Sequence, residues 1–258
     1  MMLMRKAEQA AELLVRTRGE DRTLDDLPAG LAPATLAEAY AVQDAVLRLI
    51  GPPGGWKVAG KLGGEPRCSI LPAADFHASG TLFDIPSQGF DVEVEIAFVF
   101  AHTVPDRLGL ANEDDILAAI GSAHLALELC ASRFADRRSL PDLTPVADLQ
   151  GNAAVVLGAA VEGWRALVFE NLPLQLKFAD KVLDLSPRNT GLPELLKTLC
   201  WLANHARERG VPLRAEDTII TGARLGPVNL GSATEIAASC SGLPEVRAFF
   251  RHNPPTGE

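Results

Sequence analysis

The stretch Asp91-Val-Glu-Val-Glu-Ile-Ala-Phe-Val-Phe100 contains the pattern on which the interpretation of both fold and site depends. Its alternation predicts a β-strand, because successive side chains of a strand point to opposite faces. One face is wholly apolar, and the other carries Glu93 and Glu95 beside an alanine and a valine. Since apolar residues flank the glutamates, we expect the strand to be covered on both faces.

Two covered carboxylates on one face of a strand repel each other. At the separation of about 7 Å that strand geometry gives, the repulsion is roughly 2 kcal/mol at an effective dielectric constant of about 20. Exposed glutamates would avoid this cost by pointing into water. A covered pair needs a proton, a basic partner or a metal ion, and the apolar surroundings favour the covered arrangement.

The predicted strand His124-Leu-Ala-Leu-Glu-Leu-Cys130 contains one acidic residue, Glu128, on the face that also carries Cys130. Acidic side chains are seldom buried without pairing or coordination. Three carboxylates from two strands, Glu93, Glu95 and Glu128, would suit a hard divalent cation such as Mg²⁺ or Mn²⁺. A glycosidase carboxylate pair is the alternative that this pattern leaves open, although nothing marks an aromatic groove for a sugar.

Three further residues could serve a small acidic substrate beside such an ion. Lys57 lies in a short strand-like run between glycines, where an exposed lysine is the commoner outcome. A lysine beside a metal ion could instead bind a carboxylate or transfer a proton. Thr221 and Gly222 end the predicted strand that starts at Asp217, and their hydroxyl and amide groups could bind a substrate carboxylate.

Composition limits the classes of partner. The 258 residues are 47% hydrophobic and 22% charged, which is ordinary for a protein with a core, and the net charge is −9. An acidic chain is not expected to bind nucleic acid, because contacts with phosphates would be repulsive. From the residues given we expect neither a signal peptide nor a segment that spans a membrane. The four cysteines are widely spaced, so we expect free thiols and a cytoplasmic protein.

The chain is expected to have two parts. Residues 1–50 are predicted to form a helical N-terminal cap, with one helix over residues 6–17 and a second that is opened by the capping box Thr35-Leu-Ala-Glu38 and ends at Gly51. Residues 51–258 are predicted to form the catalytic part. Its short apolar runs bounded by glycine and proline read as strands, one of which is predicted over residues 167–178.

Two peripheral helices are predicted in this second part, at Glu113–Ile120 and Leu192–Arg209. The strands do not alternate strictly with helices, so a doubly wound parallel sheet is disfavoured. The fold class predicted from these patterns is α+β, with a mixed, mostly β body and helices at its periphery.

Characteristic runs extend over about residues 35–250. The Glu-x-Glu strand is followed by a glutamate in an apolar strand and then by Ser132-Arg-Phe134. The remaining runs are Ala39-Tyr-Ala-Val-Gln43, Trp56-Lys-Val58, Val146-Ala-Asp148, Gly191-Leu-Pro193, Trp201-Leu-Ala-Asn204 and Ile219-Ile-Thr-Gly-Ala223. In combination they resemble the fumarylacetoacetate hydrolase superfamily, and within it the branch of 2-keto-4-pentenoate hydratases and 4-oxalocrotonate decarboxylases.

The resemblance implies a fumarylacetoacetate hydrolase-like β-roll, a homo-oligomer and a small 2-oxo acid as substrate. It implies Mg²⁺ or Mn²⁺ on the three glutamates and Lys57 as the catalytic residue for substrate orientation and proton transfer. It also implies a set of substrate-binding residues, for which we expect Thr221, Gly222, Arg133, Asp75 and Asn152.

The activity implied is a lyase reaction in the catabolism of aromatic compounds, in which a 2-hydroxy-2,4-dienoate is hydrated to a 4-hydroxy-2-oxo acid. The chain departs from the hydratases at Asp148-Leu-Gln-Gly151, where they carry Asp-Asn-Ala-Ser. Three alternatives therefore stay open: a 4-oxalocrotonate-type decarboxylase, an acylpyruvate C–C hydrolase, and a non-catalytic subunit in complex with a related decarboxylase or hydratase.

Overall fold

The computed structural model describes residues 2–20, 22–62, 65–106, 109–179 and 181–252. Residues 253–258 of the predicted catalytic part lie outside these ranges. Within the described ranges the helices are α1 (Met2–Gly19), α2 (Leu36–Ile50), α3 (Glu113–Ala119), α4 (Leu143–Ala147) and α5 (Leu192–Glu208). The four helices expected from the sequence are confirmed, with ends that shift by up to four residues. No helix in these ranges is both long enough and apolar enough to cross a bilayer.

Strands make up the rest of the framework. In chain order they are β1 (Pro53–Leu62), β2 (Glu65–Pro72), β3 (Phe76–Ala78), β4 (Thr81–Asp84), β5 (Asp91–Phe100), β6 (Ile120–Cys130), β7 (Asn152–Leu157), β8 (Gln175–Phe178), β9 (Lys181–Val182), β10 (Thr218–Ile220), β11 (Leu225–Asn229), β12 (Glu235–Cys240) and β13 (Leu243–Arg251). Of the strand predicted over residues 167–178, only Gln175–Phe178 pairs in a sheet, because Asn171 adopts a left-handed φ of +55° and Pro173 follows it.

The strands form two mixed sheets. The larger has the order β2-β1-β10-β5-β6-β7-β3, and β11 pairs with β5 as well. Strands β1 and β10 are parallel, as are β3 and β7, whereas β6 is antiparallel to both of its neighbours, β5 and β7. The smaller sheet has the order β4-β13-β12-β8-β9, and β13 packs against β6 and β7. The predicted α+β class with a mostly β body is therefore confirmed.

Strand β5 lies at the centre of the core. On its apolar face Phe98 is fully buried against Trp164 and Phe169, with ring centroids 5.6 and 5.8 Å away. On its other face Glu95 and Ala97 are also fully buried. The expectation that the strand is covered on both faces is confirmed, so the charge of Glu95 has to be compensated inside the protein.

The N-terminal helices belong to the same core as the sheets. Helix α2 begins after Thr35, whose hydroxyl accepts a hydrogen bond from the Glu38 amide, and ends at Gly51, which has a φ of +129°. In the middle of α2 the buried Gln43 donates to the carbonyl oxygens of Cys68 and Val146, which ties the helix to β2 and α4. The division into parts at residue 50 stays a prediction.

Candidate metal centre

The register of β5 and β6 brings the three predicted carboxylates together. Glu93 lies directly opposite Glu128, and Glu95 lies opposite Ala126. Residues opposite each other in an antiparallel pair share a face, so the three glutamates project from the same side of the sheet. Glu95 and Glu128 are fully buried, and Glu93 is 8% exposed.

Lys57 reaches this cluster from β1. That strand is separated from β5 only by β10, and Lys57 is level with Ile220, which is in turn level with Ala97. Its Nζ is 2.6 Å from Glu128 Oε2 and 3.8 Å from Glu93 Oε2. Burial by itself would lower the pKa of Lys57, but the negative charge of Glu128 and of its neighbours outweighs burial and raises the pKa.

One ammonium group does not balance three carboxylates. Burial raises the pKa of Glu95 and of Glu128, and the negative charge of a neighbouring glutamate raises the pKa of each of these carboxyl groups further. Glu95 Oε1 and Glu128 Oε1 are buried without a hydrogen-bond partner in the described part of the chain. With all three carboxylates ionised and Lys57 protonated, the cluster carries two negative charges, which is the charge that a divalent cation neutralises.

The positions of the donor atoms also fit a cation. A carboxylate oxygen of Glu93, a carboxylate oxygen of Glu128 and Cys130 Sγ all lie within 4.8 Å of one another. Glu95 is next to this group, and its Oε2 accepts a hydrogen bond of 2.6 Å from the Gly222 amide. Oxygen donors of this kind suit hard divalent ions, and a hydrogen bond from outside the cluster orients Glu95. The residues present therefore fit a divalent ion.

Thr221 and Gly222 lie beside the cluster, as predicted from the sequence, but both donate within the protein. The Thr221 hydroxyl donates a hydrogen bond to Ile96 O at 2.8 Å, and the Gly222 amide donates one to Glu95 Oε2. In this arrangement the two residues position β5 and its glutamate. Their expected role in binding the carboxylate of a substrate stays a prediction.

A cavity of about 410 Å³ opens onto the cluster. Lys57, Glu93, Thr221 and Gly222 all line it. So do further polar residues that the sequence did not single out, namely Arg67, Arg137, Gln150, Arg188, Thr190 and Thr198. The cationic side chains of this cavity could bind negative groups of a small molecule at some distance from the carboxylate cluster.

Arg133, Asp75 and Asn152 lie in a different environment. Arg133 ion-pairs with Asp148 and donates to carbonyl oxygens, including that of Asn152 at 2.8 Å. Asp75 ion-pairs with Arg18 of α1 and accepts a hydrogen bond of 2.9 Å from Asn152 Nδ2. The three residues do not line the cavity described above. This buried network attaches α1 to β7, and a role of these residues in substrate binding stays a prediction.

The chain is similar in sequence to several known proteins. No family model matches it. It is 32% identical to the 2-keto-4-pentenoate hydratase of Burkholderia vietnamiensis over 160 residues, which is 62% of this chain and only 60% of that relative. It is 27% identical to 2-keto-4-pentenoate hydratase 1 of Dechloromonas aromatica, in a match that covers 94% of this chain and 96% of that one.

Solved structures share the fold. The 4-oxalocrotonate decarboxylase from Pseudomonas putida G7, complexed with magnesium and adipate, has a TM-score of 0.78 at 20% identity and covers 95% of this chain and 98% of its own. The fumarylpyruvate hydrolase from Pseudomonas aeruginosa, in complex with Mn²⁺ and pyruvate, has a TM-score of 0.53 at 14% identity, with coverages of 77% and 89%. The similarity in sequence to the hydratases and the shared fold support the predicted resemblance to the fumarylacetoacetate hydrolase superfamily, in the branch of the 2-keto-4-pentenoate hydratases and 4-oxalocrotonate decarboxylases.

Proposed function

We propose that the chain is a divalent-metal-dependent lyase that hydrates a 2-hydroxy-2,4-dienoate to a 4-hydroxy-2-oxo acid. The observation that carries the proposal is the buried cluster of three glutamates and one lysine, which with all four groups ionised has two excess negative charges that a divalent cation would neutralise. The related hydratases and the structural neighbours, which are named as complexes with magnesium or Mn²⁺, support both the chemistry and the cation. The ion proposed is Mg²⁺ or Mn²⁺.

Different residues of the chain would bind the ion and interact with the substrate. Glu93, Glu95 and Glu128 would hold the ion, which when bound supplies a Lewis acid for the carboxylate and 2-oxo groups of a substrate. Lys57 lines the cavity and is charged, so its Nζ can bind a substrate oxygen or deliver a proton. The Gly222 amide fixes the orientation of Glu95.

A second candidate reaction has its own supporting observation. Arg67, Arg137 and Arg188 line the same cavity as Glu93, and a second carboxylate would find charged donors there. A 2-oxo dicarboxylate, decarboxylated as in 4-oxalocrotonate decarboxylase, is therefore the second candidate substrate. C–C hydrolysis of an acylpyruvate and a non-catalytic partner role stay predictions from the resemblance, as does assembly into a homo-oligomer.

All four cysteines are free thiols, which suits a reducing compartment and supports the expected cytoplasmic location.

The test of function uses the purified full chain with chelator, Mg²⁺ or Mn²⁺. With 2-hydroxypenta-2,4-dienoate, we expect metal-dependent loss of the ultraviolet absorbance of the diene and formation of 4-hydroxy-2-oxopentanoate. If the protein released carbon dioxide from 2-oxohex-3-enedioate but did not hydrate 2-hydroxypenta-2,4-dienoate, the proposed hydratase activity would be wrong and the decarboxylase activity would take its place. Turnover that persists in chelator would overturn the metal-dependent mechanism.

A further inference from the structure

Cys130 adjoins the carboxylate cluster. It is the last residue of β6, two positions after Glu128, and it lies opposite Asp91. This spacing puts its side chain on the face that carries the three glutamates. The thiol is 4% exposed, and its Sγ lies within 4.8 Å of carboxylate oxygens of both Glu93 and Glu128. A sulfur atom and two carboxylates thus converge on one point.

An independent observation indicates that this point is a ligand site. Glu128 is fully buried, and its Oε1 has no hydrogen-bond partner among the described residues. An acceptor with no donor in a buried position is costly unless a cation or a proton satisfies it. The other buried cysteine, Cys68, has a different environment, with its Sγ 3.8 Å from Arg209 Nη1.

The cluster can be approached from two sides. Glu93 and Lys57 line the cavity of about 410 Å³, whereas Cys130 and Asp91 line a second cavity of about 390 Å³. Arg137 lines both cavities. A cation held between Glu93, Glu128 and Cys130 would therefore have among its ligands one residue that lines each cavity, Glu93 for the first and Cys130 for the second.

We propose that Cys130 is a ligand of the metal ion, so that the centre contains one sulfur donor, which raises its affinity for softer ions such as Co²⁺ and Zn²⁺ relative to Mg²⁺. On binding, the thiol loses its proton to solvent, the sulfur donates an electron pair to the cation, and no group is oxidised or reduced. A thiolate is a soft ligand that favours such ions, whereas Mg²⁺ takes oxygen ligands almost exclusively. The inference rests on the metal site of the proposed function and assigns it an additional ligand.

Co²⁺ is the probe, because a cobalt–thiolate bond produces a charge-transfer band in the near ultraviolet that carboxylate ligands do not. The metal-free full chain is titrated with Co²⁺ without oxygen, and bound Co²⁺ is counted separately by equilibrium dialysis. The variants are Cys130→Ser and, as a second replacement that suits a buried strand, Cys130→Val. Cys240→Ser is the matched control, since Cys240 is a half-buried thiol on β12 of the smaller sheet. Circular dichroism checks that each variant is folded.

We expect the band in the wild type and in Cys240→Ser, and its loss in both Cys130 variants while the chain still binds Co²⁺. We also expect less Mg²⁺ to be needed to displace Co²⁺ from the variants than from the wild type. Stoichiometric Co²⁺ binding without the band, or a band that survives in a folded Cys130 variant, would overturn the sulfur ligand and leave the carboxylate site intact. Failure of the wild type to bind Co²⁺ at all would overturn both the sulfur ligand and the metal site.

Discussion

Glu93 and Glu128 are direct cross-strand partners on β5 and β6; Glu128 is fully buried and Glu93 is nearly so. Two like charges in this position destabilise a sheet, because their Cβ atoms are only about 5 Å apart. Lys57 offsets one charge through its contact of 2.6 Å with Glu128. The remaining negative charge of the cluster, which includes Glu95, favours the binding of a cation.

Replacing Lys57 with methionine separates the roles of the lysine and the metal. Without the ammonium group beside Glu128, a cation has one competitor fewer, so we expect Mn²⁺ to bind at least as tightly as in the wild type. We expect kcat to fall by about 10²- to 10⁴-fold, the usual contribution of a proton-transfer group. Lys197→Met, an exposed change on α5, should leave both quantities unchanged. Wild-type turnover in Lys57→Met would remove the catalytic role.

The arginines of the cavity predict a dependence on the charge of the substrate. In Arg67→Met, a dicarboxylate loses a charge-assisted hydrogen bond of about 1.5–3 kcal/mol, so its Michaelis constant should rise by roughly ten- to a hundredfold. The Michaelis constant for the monocarboxylate dienoate should change little. Steady-state kinetics with both substrates measures the difference, and Arg48→Met on the exposed side of α2 is the control. Equal effects on both substrates would contradict a subsite for the second carboxylate.

Gln43 is predicted to stabilise the attachment of α2. Its side chain is fully buried and donates to Cys68 O at 3.1 Å and to Val146 O at 2.7 Å. Gln43→Leu leaves these acceptors unpaired, and each buried group so left costs about 1–3 kcal/mol of the free energy of unfolding. Urea denaturation monitored by circular dichroism measures the loss. Gln9→Leu, an exposed position on α1, provides the comparison, and equal stability of the two variants would be inconsistent with this role.

His205 should make stability depend on pH. It stacks on Trp201 at 4.9 Å and packs against Tyr40, and burial together with the nearby Arg209 guanidinium lowers its pKa from 6.5. The unfolded chain binds a proton at His205 more readily than the folded protein does. The contribution of the neutral imidazole to the free energy of unfolding is therefore complete above the pKa that His205 has in the unfolded chain, and it is lost as pH falls through the pKa that it has in the folded protein.

Unfolding free energies measured between about pH 5 and 8 should therefore fall more steeply on acidification in the wild type than in His205→Phe. Identical pH profiles for the two proteins would show that the imidazole does not titrate differently on folding. Trp201→Phe, which retains the imidazole and an aromatic neighbour, should keep the wild-type slope.

The sequence predicted the elements of the site better than their arrangement. Alternation within residues 91–100 and 124–130 was enough to group Glu93 with Glu95 and to put Cys130 on the face of Glu128. The opposition of Glu93 and Glu128 depends on the register between two strands, which a pattern within either strand does not contain. The cavity arginines come from three separate segments, so no spacing in the sequence connects them.

Strand β13 shows the same limit in the fold. It pairs with β12 through the turn at Ser241-Gly242, but Pro244, Glu245 and Arg247 interrupt its apolar alternation. The strand is specified by its neighbours on both sides, β12 and β4, rather than by its own pattern. For the same reason the sequence did not predict the buried pairing of Arg133 with Asp148, which are fifteen residues apart.

The most direct test of the metal centre is Mn²⁺ binding by Glu128→Gln. Metal-free protein is titrated with Mn²⁺ while free Mn²⁺ is followed by electron paramagnetic resonance, with the exposed change Glu12→Gln on α1 as the control. We expect one ion per wild-type chain and an affinity more than about a hundredfold lower in Glu128→Gln, since losing a group that only supports a ligand already costs about ten- to a hundredfold. No binding by the wild type, or equal affinity in Glu128→Gln, would contradict the carboxylate centre.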